Sequence, residues 1–93
     1  MSQENMGWWV YIIESRSGKL YTGITTDVER RYQEHQQVAT GGQKGAKFFR
    51  IDPPQQLVYS EACSNRSNAS KREAEIKKYK RADKLALISV NRS

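Results

Sequence analysis

Two β-rich runs, Trp8–Glu14 and Lys19–Ile24, flank the short stretch Arg16-Ser17-Gly18, and this arrangement restricts the possible folds more than any other segment. Aromatic and β-branched residues suit a pleated surface, and a tight turn between two such runs dictates an antiparallel hairpin. Loop length then decides which side chains meet. A two-residue Ser17-Gly18 turn puts Tyr11 and Tyr21 on opposite faces. A three-residue loop with Gly18 in the left-handed conformation sets Ser15 opposite Lys19, Tyr11 opposite Gly23 and Ile13 opposite Tyr21. This second register is the expected one, because both tyrosines then share a face and Gly23 leaves a space beside Tyr11.

The hairpin runs almost directly into a helix. Thr26 and Glu29 have capping-box spacing, which places the helix from about Asp27 to Gln36. Arg31 and His35 stand four apart and share a face, with Asp27 one turn earlier on the same stripe. Two strand tyrosines, a glycine, an arginine and a histidine thus converge as one polar cluster. The plain alternative is half-buried strand tyrosines beside an exposed helix face. Its Asp27–Arg31 and Arg30–Glu34 pairs would be worth only about 0.3–0.5 kcal/mol each.

Ala39–Lys47 contains Gly41, Gly42 and Gly45 with Lys44 and Lys47, and reads as a mobile stretch. It is either a loop that contacts a phosphate-bearing substrate or a simple connector. It is not a Walker-type loop, since no Gly-Lys-Ser/Thr occurs. Asp52-Pro53-Pro54 breaks the chain, and Leu57-Val58-Tyr59 reads as a third strand. Ala69 to about Lys80 is a basic helix whose inner stripe is Ala69, Arg72, Ile76 and Tyr79. Arg81–Val90, with Leu85 and Ile88 at helical spacing, makes a short last helix. The order β-β-α-β-α-α predicts an α+β fold, a small three-stranded antiparallel sheet flanked by helices. The 93 residues form one domain, 1–93, with residues 1–6 polar and expected to fray.

The formal charge of +6 directs the chain toward a polyanion, nucleic acid before an anionic membrane. The basic residues recur at Lys44, Lys47 and Arg50 and from Lys71 to Lys84, as on a folded surface rather than a tail. The alternative is a solvated face that serves solubility. A lone Cys63 excludes a disulfide framework and a Cys-based zinc site. No signal-peptide core and no apolar run near ~20 residues occurs, so a cytoplasmic protein without membrane association is expected.

Trp9-Val10-Tyr11, Tyr21-Thr22-Gly23, Arg31, His35 and Glu73, in that order, resemble the motifs of the GIY-YIG nuclease domain. The resemblance covers nearly the whole chain. It is strongest to the small standalone bacterial members of the UPF0213 type, which carry a similar Tyr-Thr-Gly-Ile-Thr-Thr-Asp-Val-Glu-Arg-Arg run and a Lys-Gly-Ala-Lys segment, here Lys44–Lys47. It implies a divalent-metal-dependent endonuclease that hydrolyses phosphodiester bonds, with DNA the expected substrate and repair or recombination the expected setting. Tyr21 then matches the tyrosine proposed to activate water, Tyr11 lines the same site, and Arg31 matches the arginine that binds the scissile phosphate. His35 stands where members carry histidine or tyrosine, and Glu73 matches the metal-binding glutamate. Three positions depart from the pattern: Trp9 replaces the first motif's glycine, Thr22 the second motif's middle residue, and Ile24 a lysine found in some members. Asn91 is a candidate for a late asparagine only through its place near the end.

A tyrosine with its ordinary pKa of about 10 is a poor base at neutral pH unless a cation or hydrogen bonds favour its phenolate. Because Glu73 is the one carboxylate among the matched positions, a single ion is expected, Mg²⁺ or Mn²⁺ with mostly water ligands. Ser70-x-x-Glu73 is itself a capping-box spacing; a helix beginning earlier, near Ser67 or Asn68, frees Glu73 for the site. Lys44, Lys47, Arg50, Arg72 and Lys77 are the expected nucleic-acid contacts. Two rivals stand beside the nuclease: a nucleic-acid-binding module that cuts only with a protein partner that targets it, and a structural or protein-interaction domain.

Overall fold

A computed structural model describes residues 7–92, so the expected fraying of residues 1–6 lies outside the described residues. Strand β1 (Trp8–Ser15) turns into β2 (Leu20–Thr25), followed by helix α1 (Val28–Val38) and a single turn α2 (Phe48–Ile51). Strand β3 (Pro54–Cys63) and helices α3 (Arg66–Lys77) and α4 (Arg81–Arg92) complete the domain. The sheet is antiparallel in the order β2-β1-β3, so β1 is the central strand. This matches the expected α+β order, with α2 as an added turn.

The central place of β1 follows from its unbroken run Val10-Tyr11-Ile12-Ile13, all four buried. A strand covered on one face alternates in polarity, whereas this one supplies both faces. Val10 and Ile12 pack with Ala69, Ile76 and Ile88 of α3 and α4. Tyr11 and Ile13 pack with Val38 of α1 and Phe49 of α2. Burying each of the aliphatic β1 side chains contributes about 1.5–3 kcal/mol relative to leaving it in water.

The hairpin has the three-residue register: Tyr11 pairs with Gly23 and Ile13 with Tyr21. Ser15 N donates to Lys19 O at 2.8 Å, and Gly18 has φ +95°. Asp52 reinforces this turn, accepting from Ser15 Oγ at 2.7 Å, Ser17 Oγ at 2.6 Å and Ser17 N at 3.1 Å. These hydrogen bonds, led by that from the Ser17 hydroxyl, hold the Asp52 pKa below its ordinary value.

Several boundaries differ from expectation. The cap of α1 is Asp27, whose carboxylate accepts from Arg30 N at 3.1 Å, while Thr25 Oγ1 accepts from Asp27 N at 3.1 Å. The Thr26–Glu29 capping box is thus replaced by a cap one residue later, and α1 ends at Val38, beyond Gln36. Strand β3 is longer than Leu57–Tyr59 because it is an edge strand, where Pro54 can begin a strand without interrupting a ladder on both sides. Its pairing with β1 shifts register between Ile12 and Ile13, where Tyr59 and Leu57 are the successive partners. This bulge leaves Val58 and Tyr59, neighbours in sequence, in one core cluster. Helix α3 starts at Arg66 behind an Asn65 cap whose side chain accepts from Asn68 N at 2.8 Å. It ends at Lys77, not Lys80. Glu73 is therefore mid-helix and has no capping role. On α4, Ile88 is buried but Leu85 is 44% exposed, so Ile88 anchors the helix. No helix among the described residues is long and apolar enough to cross a membrane.

Candidate active site

The hairpin register brings the Tyr11 ring across the backbone of Gly23. A Cβ at Gly23 would lie 2.5 Å from the Tyr11 hydroxyl oxygen and 2.7 Å from Cζ, so only glycine admits the ring. Tyr21 stands beside it, with ring centroids 6.4 Å apart. His35 enters from α1, its Nε2 2.8 Å from the Tyr11 hydroxyl, and meets the Tyr21 ring edge-on at 5.4 Å. His35 is fully enclosed, and its Nδ1 accepts from the Ala46 backbone N–H at 3.0 Å.

One turn earlier on α1, Arg31 donates through Nη1 to Glu34 Oε1 at 2.8 Å and to the Lys44 carbonyl at 2.7 Å. Burial works against the charge on Arg31, but hydrogen bonding with Glu34 and Tyr11 outweighs it and raises the Arg31 pKa. Glu34 is correspondingly lowered by its bond to Arg31. Burial, then the neighbouring Tyr21, pushes Tyr11 well above the ordinary tyrosine range, while Arg31 pulls the other way. Burial, followed by the Arg31 charge, depresses His35 to about 4, so the imidazole is neutral at physiological pH.

Glu73, on α3, acts on Tyr11 through its charge, the last of the influences that raise the Tyr11 pKa. Its carboxylate accepts from Lys77 Nζ at 3.3 Å. Among the described residues no group of three or more His, Cys, Asp or Glu side chains forms a ready-made cation cage. A single half-buried carboxylate still fits Mg²⁺ or Mn²⁺. Such ions keep several waters and take their remaining oxygens from substrate phosphate.

The structure therefore gathers Tyr11, Tyr21, Arg31 and His35 beside Gly23, while Glu73 is linked to them only through its charge on Tyr11. The expected nucleic-acid contacts divide. Lys44 borders the pocket through its carbonyl, and Lys47 and Arg50 are exposed just beyond it, before and within α2. Lys77 pairs with Glu73. Arg72 is committed elsewhere: Nε bonds Glu61 Oε1 and Oε2 at 3.1 Å each, and Nη1 reaches Glu75 at 2.8 Å and Tyr79 at 3.3 Å. Tyr59, raised to about 12 by burial and then by Glu61, donates to that same Glu61. The side chain of Asn91 lies outside the described residues.

Four contributors escaped the sequence reading. Phe48 stacks on Tyr21 at 5.7 Å and Phe49 packs against His35 at 4.7 Å, closing the floor of the pocket. Two consecutive aromatics after the glycine-rich stretch were the available signal. Glu34, at i+3 from Arg31, was equally legible as a partner; the Ala46 amide, being backbone, left no mark.

The sequence pattern of the GIY-YIG catalytic domain matches residues 7–86. The chain is 45% identical to UPF0213 protein DP2720 of Desulfotalea psychrophila, covering 90% of this chain and 73% of that protein. It is 43% identical to UPF0213 protein YhbQ of Escherichia coli, covering 88% and 77% respectively. The solution NMR structure of UPF0213 protein BH0048 from Bacillus halodurans aligns with a TM-score of 0.55 at 41% identity, covering 89% of this chain and 83% of that one. These matches show that the chain belongs to the GIY-YIG catalytic domain family, a nuclease family, and is similar in sequence and fold to its UPF0213 members.

Proposed function

We propose that the domain is an endonuclease that binds DNA and hydrolyses its phosphodiester bonds with one divalent metal ion. The observation that carries this reading is the enclosed Tyr11 hydroxyl, 2.8 Å from His35 Nε2, with Arg31 and Tyr21 beside it and Glu73 in electrostatic reach. Hydrolysis needs a deprotonated water, charge stabilisation at the phosphate and help for the leaving oxygen. Arg31 supplies a planar donor that matches two phosphate oxygens, which would take the place of the Glu34 carboxylate. Tyr21 is the residue that would activate the water, and Tyr11, held protonated by its burial, lines the site and orients that water through its hydroxyl rather than acting as the base. Glu73 is the residue that would hold Mg²⁺ or Mn²⁺, which stabilises negative charge on the phosphate and leaving oxygen when bound. Lys44, Lys47 and Arg50 form the adjoining phosphate-binding surface, with Lys77 on the α3 side, while Arg72 is held by Glu61 and shapes the helix instead.

A second reading has its own support. Arg31 is paired with Glu34 and the Lys44 carbonyl, and Glu73 with Lys77, so the reactive groups are engaged within the chain. A protein partner that targets the domain to DNA would then also release these groups. Arg31→Ala and Tyr21→Phe tested against wild type on single-stranded, duplex and branched DNA separate the readings. Wild-type cutting lost in both variants supports the endonuclease. Binding without cutting by the wild type, restored by a partner, supports the second reading, and cutting unchanged in both variants overturns the pocket assignment.

A further inference from the structure

The glycine-rich segment 42–46 lies along the second half of α1. Gly42 N donates to Gln37 O at 2.8 Å, the Lys44 carbonyl accepts from Arg31 at 2.7 Å, and Ala46 N–H donates to His35 Nδ1 at 3.0 Å. Gly45 permits this approach: a Cβ there would run into the Glu34 carbonyl oxygen and lie 2.8 Å from His35 Cα. A backbone amide can only donate, so Nδ1 must present its lone pair. A neutral imidazole bears one hydrogen, which the partners therefore assign to Nε2. It follows that His35 is the donor in the 2.8 Å contact with the Tyr11 oxygen.

We infer that the Ala46 backbone amide is a positioning group of the pocket: it locks His35 as the Nε2–H tautomer, so that His35 donates to Tyr11 and cannot take a proton from it. The lock itself follows from the hydrogen-bond partners, and its consequence for catalysis rests on the endonuclease reading. With Nε2 already protonated, the Tyr11 hydroxyl hydrogen points away from His35 and is left to be donated to another acceptor, such as a water or a phosphate oxygen. Through the Ala46 amide the glycine-rich segment thereby sets the direction of the Tyr11 hydroxyl.

His35 is the sole histidine, so ¹⁵N NMR of the labelled full chain at neutral pH reads its tautomer without ambiguity. The expected spectrum has a pyridine-type Nδ1 and a pyrrole-type Nε2. A protonated Nδ1, or an average of the two tautomers, overturns the inference. Gly45→Ala, which forces the segment off α1, is expected to move the spectrum to a tautomer mixture. Ala46→Pro, which lacks the amide hydrogen, is expected to do the same. A folded variant of either kind that keeps the pure Nε2–H form refutes the lock, and if neither folds the wild-type spectrum decides. Because the measurement needs no substrate, a locked tautomer in a chain that never cuts DNA removes the endonuclease reading alone. The opposite tautomer in a chain that does cut removes the lock alone.

Discussion

Acidification should destabilise this protein from about pH 6.5 downward, and His35 is the cause. In the unfolded chain His35 takes up a proton near its ordinary 6.5, whereas burial and then the Arg31 charge delay protonation in the folded state to about 4. Between those values the unfolded state holds more protons, so stability falls as pH drops. The gap corresponds to about 3 kcal/mol once both values are passed, and about 2 kcal/mol is already lost on going from roughly pH 8 to 5. Arg31, Glu34, Tyr11 and Tyr21 are the titratable and charged groups around the imidazole. Glu34 has its pKa lowered from 4.5 and Asp52 from 3.8, so both act below this window. With one histidine in the chain, urea unfolding at several pH values isolates the effect. His35→Gln should lose most of the dependence between roughly pH 8 and 5 while keeping an amide donor for Tyr11. Equal slopes in wild type and variant would refute the claim that an enclosed, neutral His35 supports the pocket.

Other perturbations address separate parts of the structure. Gly23→Ala puts a methyl group 2.5 Å from the Tyr11 oxygen, and should cost about 1–3 kcal/mol in chemical denaturation while displacing Tyr11 from His35. A loss under ~0.5 kcal/mol would mean that the ring does not cross the glycine. Thr22 Oγ1 is buried without a hydrogen-bond partner among the described residues. Thr22→Val should therefore stabilise the fold, by about 1 kcal/mol in the urea midpoint, and destabilisation would show that the hydroxyl has a partner. Lys47→Ala and Arg50→Ala should each weaken DNA binding without sequence preference and lower the log–log salt slope by about 0.9. An unchanged slope would remove that residue from the interface.

How far the sequence foretells this structure depends on whether the signal is local. The hairpin register was legible because Gly18 and the loop length are adjacent in the chain, and the Tyr11–Gly23 pairing follows from them. Arg31 and His35 shared a face by helical spacing alone. The Asp27 cap was misplaced by one residue because Thr25, Thr26 and Asp27 are all competent cap chemistry, and the choice is made by the strand that precedes them. Arg72 looked like part of a basic surface because Glu61, whose two oxygens both accept from Arg72 Nε, lies on β3, eleven residues away and on a different element. The fastening of 42–46 to α1 was invisible for a deeper reason. It depends on backbone groups and on a close approach at Gly45, neither of which has a side-chain signature. Tertiary contacts of that kind decide whether a glycine-rich stretch is a connector or a wall of the site.

The central claim is that this pocket breaks phosphodiester bonds, and the most direct test is cleavage of single-stranded, duplex and branched DNA by wild type and Glu73→Ala side by side with Mg²⁺ or Mn²⁺. Glu73 is half-buried on α3 and its ion pair with Lys77 is an i,i+4 contact, so its removal should leave the fold intact and any loss of cutting belongs to the site. The account predicts cutting by wild type that requires the divalent ion and disappears in Glu73→Ala, with DNA binding retained. Equal cutting by both proteins would contradict it.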